Sequence, residues 1–89
     1  MQSIGRSNSL EEIDELIRSN IPIGSSFSAA IRYLSANQIE FTDVKKERKI
    51  YAIIRNIKGS FIISKSASIR IKYNIFGNVD RIEVFASYL

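Results

Sequence analysis

After Asn37 the apolar residues of this chain stop recurring every third or fourth position and begin to alternate, a change of period that separates a helical first part from a stranded second part. Before the change, Ser9-Leu10-Glu11-Glu12 has the form of a capping box, with the Ser9 hydroxyl placed to accept from the third helical N–H and Glu12 placed to reach back to the Ser9 amide. Leu10, Ile13, Leu16 and Ile17 follow at helical spacing, and Glu11, Glu12, Asp14 and Glu15 put negative charge near the positive end of the helix dipole. Asn20 and Pro22 end this helix, because proline disfavours the α conformation in the residue before it and has no N–H to donate. Gly24-Ser25-Ser26 opens a second helix, with Ser25 or Ser26 as its cap and Phe27, Ala30, Ile31 and Leu34 on one apolar stripe. The short link, which holds the only proline, predicts that the two helices lie side by side on one surface.

Beyond Asn37, isoleucine, 17 residues in all, becomes the dominant apolar type together with Tyr and Phe, as strands prefer. Ile39-Glu40-Phe41-Thr42-Asp43 reads as a first strand and Lys45-Lys46-Glu47-Arg48 as a turn. Ile50 to Ile57 is a second strand whose alternating sets, Ile50/Ala52/Ile54 and Tyr51/Ile53/Ile57, are both apolar, so its inward face is ambiguous. Lys58-Gly59-Ser60 supplies turn chemistry, and Phe61-Ile62-Ile63 either begins a long bulged strand or forms a short one of its own. The clearest alternation runs from Ala67 to Ile75; after a tight turn at Phe76-Gly77-Asn78 the chain returns over Val79 to Tyr88, with Ile82, Val84, Ala86 and Tyr88 on one face. The expected fold is α+β, two N-terminal helices packed on one face of a three- to four-stranded antiparallel sheet, with residues 1–8 a flexible N-terminus and residues 9–89 a single domain.

The absence of both cysteine and histidine removes disulfides, the ligand sets of zinc, copper and haem sites, and the usual nucleophile–base pairs, so no cofactor and no enzymatic activity are expected. A Ser-Lys dyad would have to come from Ser64-Lys65-Ser66, where strand geometry sends neighbours to opposite faces. Glu40 and Asp43 read as ordinary strand-end acids, and the four scattered glycines form no phosphate loop. No apolar run is long enough to span a bilayer, and Met1 to Asn8 lacks the apolar stretch of a signal peptide, so the sequence reads as soluble. A leader removed ahead of Met1 would place it in the periplasm or cell envelope, and a native Met1 in the cytoplasm.

The order helix, helix, antiparallel strands, with Ile21-Pro22-Ile23-Gly24-Ser25-Ser26 opening the second helix, Ile31-Arg32-Tyr33-Leu34 inside it and Ala67-Ser68-Ile69-Arg70-Ile71-Lys72-Tyr73 as a late strand, resembles small bacterial envelope proteins. The families concerned are the β-lactamase inhibitory protein domains and the small outer-membrane-assembly lipoproteins. The resemblance spans residues 9 to 88 and implies a non-enzymatic protein-binding module that uses its exposed sheet face and loops; it carries no individual site residue with it.

Charge points to the same face. The net +4 is divided unevenly: residues 1–43 carry three basic and six acidic groups, residues 44–89 ten and three. If Ile50, Ala52, Ile54, Ile69, Ile71, Ile82 and Val84 point to the helices, then Tyr51, Arg55, Arg70, Lys72, Arg81 and Phe85 share the opposite face. Such a face suits a protein partner, since Tyr, Phe and Arg are enriched at interfaces. Single-stranded nucleic acid, held by stacking and phosphate contacts, is the alternative. Without a partner it would be a solvated sheet face with cross-strand pairs such as Arg70 or Lys72 with Glu83.

Overall fold

A computed structural model of the chain describes residues 8–55, 57 and 65–88. Two helices, α1 (Leu10–Asn20) and α2 (Phe27–Ala36), precede four strands, β1 (Glu40–Val44), β2 (Lys49–Ile54), β3 (Lys65–Tyr73) and β4 (Val79–Tyr88). The strands pair in chain order, each antiparallel to the next, so neighbours in the sheet are neighbours in the chain.

Both helix starts follow the local chemistry of the sequence. At α1 the Ser9 hydroxyl accepts from Glu12 N at 3.2 Å and Ser9 N donates to the Glu12 carboxylate at 2.8 Å, satisfying two otherwise orphaned donors. At α2 the cap is Ser26, whose hydroxyl accepts from Ala29 N at 3.1 Å; Ser25 instead donates its hydroxyl to the carbonyl of Pro22. Ile13 and Ile17 of α1 and Ala30 and Leu34 of α2 are fully buried. The helices share one face of the sheet but divide it, α1 packing chiefly against β4 and α2 against β1. Arg18, held by Asp14 at 2.7 Å, also donates to the carbonyl of Ile82 at 2.9 Å and so ties α1 to the edge of β4.

Register resolves the ambiguity of the second strand. Ile50, Ala52 and Ile54 oppose Ile71, Ile69 and Ala67, which in turn oppose Ile82, Val84 and Ala86; these rows face the helices and, apart from half-buried Ala86, make one core with Ile13, Ile17, Ala30 and Leu34. Tyr51 and Ile53 therefore face away. Ile57 does not go with them: β2 ends at Ile54, the alternation stops there, and Ile57 returns to the core. Strand limits shift in the same way elsewhere. The first strand begins at Glu40, after Gln38 takes a φ of 57° to leave α2, and the third ends at Tyr73, leaving Ile75 in the turn. The segments Lys58-Gly59-Ser60 and Phe61-Ile62-Ile63, and residues 1–7, lie outside the described residues.

The β3–β4 turn is organised by Asn74. Its side-chain oxygen accepts from Phe76 N and Asn78 N, both at 3.0 Å, while its backbone bonds Gly77 and Asn78. The helix–helix link is laced to this turn: Gly24 N donates to Val79 O, Val79 N to Ser25 O and Phe27 N to Gly77 O, at 2.7, 2.7 and 2.8 Å. Phe27 then stacks on Tyr73 with ring centroids 4.9 Å apart.

Tyr73 closes the core beside β1, its hydroxyl donating to Asp43 at 2.9 Å. Burial, and then the Asp43 hydrogen bond and charge, push the Tyr73 hydroxyl above its ordinary pKa of 10.0, with Arg48 opposing. Because the folded state holds this proton more tightly than the unfolded one, the contribution to stability is complete below pH 10.0 and falls as pH rises from there through the folded pKa. Tyr73→Phe is expected to cost about 1 kcal/mol at neutral pH through the lost hydrogen bond. It should also flatten the alkaline decline in melting temperature, measured as the difference between wild type and variant across that range.

Candidate binding face

On the face away from the helices, strand phase places five of the six residues singled out by sequence, Tyr51 from β2, Arg70 and Lys72 from β3, and Arg81 and Phe85 from β4; the sixth, exposed Arg55, follows the end of β2 and pairs with Glu40. Three of them form a cluster. The Arg70 guanidinium lies 5.8 Å from the centre of the Tyr51 ring and 5.5 Å from that of Phe85, and it reaches Glu83 at 3.4 Å. Arg70 opposes Tyr51 on one side and Glu83 on the other, while Phe85 opposes Ser68 one row along, which is why a side chain at this position meets both rings. Arg70 Nε is buried without a hydrogen-bond partner. Tyr51 donates to Glu47 at 2.7 Å; that bond first, then desolvation and the Glu47 charge, raise the Tyr51 pKa, against the pull of Arg70.

The other three separate. Lys72 and Arg81 stand directly opposite each other toward the turn end of the sheet, and Lys49, which sequence reading left out, stands opposite Lys72 on the other side. Among the described residues none of these three cations has an ion pair. Like charges set in register repel, so the row adds nothing to the fold and leaves the face a local excess of positive charge. Lys49 was legible in principle: it precedes Ile50, and the phase of Tyr51 extended back by two residues reaches it. Arg55 lies at the opposite end of the face, paired with Glu40 at 3.2 Å beside a cleft of about 220 Å³ lined by Gln38, Ile39, Glu40, Ile53, Ile54 and Arg55.

The residues weighed for catalysis are dispersed. Glu40 faces outward to Arg55, whereas Asp43 sits on the helix side under Tyr73. Lys65 and Ser66 occupy consecutive, oppositely facing positions of β3, and Ser64 lies outside the described residues. Among the described residues no three His, Cys, Asp or Glu side chains gather in a way that would hold a metal ion, and no helix is long and apolar enough to cross a membrane.

Comparison with known proteins adds no relative: no family model, curated protein or solved structure matches the chain.

Proposed function

We propose that this chain is a non-enzymatic binding module whose open sheet face takes another protein. The observation that carries the reading is the Tyr51–Arg70–Phe85 cluster at the middle of a face that none of the described helices covers. Tyr, Phe and Arg dominate the energetics of protein interfaces, and here Arg70 is already held between the rings and Glu83, so less side-chain freedom is lost on binding. Half-buried Ile53, directly opposite Ser68 and so in the same cross-strand row as Phe85, extends the apolar centre, and Lys72 and Arg81 supply a cationic rim that fits a partner with acidic side chains. The resemblance to envelope binding modules implies the same use of the sheet.

The unpaired row Lys49, Lys72 and Arg81 supports a second reading, single-stranded nucleic acid held by its phosphates. It is the weaker of the two, because Arg70 lies against both aromatic rings and so takes up stacking surface that bases would use.

Affinity capture with wild type and with Tyr51→Ala/Phe85→Ala, followed by titration of each purified partner, tests the first reading. A partner bound through this face should bind the variant at least about tenfold more weakly, as expected for loss of hot-spot residues. Identical partner sets and affinities for the two proteins would refute the assignment. Titration with labelled single-stranded DNA and RNA at two salt concentrations tests the second: phosphate contacts require binding that weakens steeply with salt.

A further inference from the structure

The end of the sheet where β1 turns into β2 and β3 into β4 carries a surface that adjoins the open face and shares its row of cations. Arg48 O accepts from Tyr73 N at 2.9 Å, so the two turns lie side by side. At the apex of the second, Ile75 is 73% and Phe76 81% exposed, more than any other large apolar side chain described, and Ile23, 60% exposed, stands in the helix link laced to the same turn. These apolar groups are not needed for chain reversal. Asn74 and Gly77 make the turn, through the Asn74 side-chain bonds and the positive φ of Gly77, and polar residues ordinarily fill such apical positions.

Around the apolar apex stand cations. Lys45 and Lys46 are exposed in the neighbouring turn, and the unpaired row Lys49, Lys72 and Arg81 ends the sheet just below it. The acids nearby are fewer: Asp43 and Glu47, engaged by the Tyr73 and Tyr51 hydroxyls, and exposed Asp80 at the irregularity where β4 begins. Two or three apolar side chains projecting from convex turns offer too little area for a stable protein interface, which needs roughly 800 Å² from each partner. A fluid surface imposes no such requirement. Apolar side chains enter the headgroup boundary singly, and lysines and arginines set back from them meet anionic lipid headgroups.

We infer that this turn end is a peripheral attachment site for an anionic lipid bilayer, with Ile75 and Phe76 inserting and Lys45, Lys46, Lys49, Lys72 and Arg81 facing the headgroups. The inference does not rest on the protein-binding reading of the open face, since its apolar groups and two of its cations lie outside that face.

Co-sedimentation of the 89-residue chain with phosphatidylcholine vesicles, with or without about one third phosphatidylglycerol, tests it at about 0.1 M and about 0.5 M salt. Expected are partitioning at least about tenfold stronger to the anionic vesicles, since each cation near the surface adds roughly fivefold, and loss of most of that preference at the higher salt. Ile75→Ser/Phe76→Ser should weaken binding about tenfold by removing the inserted apolar surface. Lys45→Glu/Lys46→Glu should weaken it by about 25-fold or more, roughly fivefold for each lysine lost, without touching the apex. Thermal melting of both variants should match wild type, because all four side chains are exposed. Tyr51→Ala/Phe85→Ala should bind vesicles as wild type does, so that the two surfaces stand or fall separately. The inference is overturned if wild type binds neither vesicle, if it binds both equally, or if a properly folded Ile75→Ser/Phe76→Ser protein binds as tightly as wild type. That last result would show charge contact with the headgroups but no insertion of the apolar apex.

Discussion

Ile71→Ala is expected to destabilise the fold by about 2–5 kcal/mol, the range for truncating a fully buried branched side chain whose surroundings cannot collapse into the space. Ile71 sits in β3, an inner strand of the sheet, with Ile50 opposite it in β2 and Ile82 opposite it in β4, and it has no exposed surface. Neither neighbouring strand can move inward without dragging its own hairpin, so the cavity persists. Small domains hold only a few kcal/mol of net stability, and a chain without cysteine has no disulfide to add to it, so the variant should be largely unfolded at 37 °C. Urea denaturation followed by circular dichroism measures the difference. Ile75→Ala, in the exposed turn two residues past the end of β3, is the matched control and should lie within about 0.5 kcal/mol of wild type. Equal losses at the two positions would contradict the burial pattern.

Gly77→Ala is the second large effect, expected at about 2–3 kcal/mol from two sources. Gly77 has a φ of 80°, a conformation that costs an L residue about 1 kcal/mol or more. An added Cβ would also come within 3.1 Å of the Phe27 ring. That ring cannot simply withdraw, being stacked on Tyr73, and the Phe27 amide is bonded to the Gly77 carbonyl. Gly24 separates the two costs: its φ is 97°, but an added Cβ there meets nothing within 4 Å. Gly24→Ala should therefore lose the backbone part alone, and the difference between the variants in chemical denaturation reads the Phe27 contact. If the two variants lose the same stability, the packing of the turn on α2 contributes nothing.

Where chemistry was local, it was readable in the chain. Ser9 and Glu12 three positions apart, Ser26 ahead of an apolar stripe, and odd–even alternation through β3 each specify an element through bonds or faces that only a few neighbouring residues determine. The inward row of β3 and the outward placement of Arg70 and Phe85 followed from that alternation. Where local signals were balanced, they did not decide. In β2 both faces are apolar, so only pairing with β3 could choose Ile50, Ala52 and Ile54 for the core and turn Tyr51 and Ile53 outward.

By itself, then, the sequence determined two capped helices, a following antiparallel sheet, and a chain without cysteine or histidine, because these depend on residue type and short spacing. The tertiary structure alone decided that Arg70 is held against Tyr51 and Phe85, that Lys49 joins Lys72 and Arg81 in an unpaired row, and that Ile75 stands in solvent when alternation predicted a strand. Each of these depends on strand register and on where a strand stops, and both are set by contacts between residues far apart in the chain: Tyr73 N with Arg48 O, Val79 with the helix link, Asp43 with Tyr73. No periodicity within a single segment carries that information.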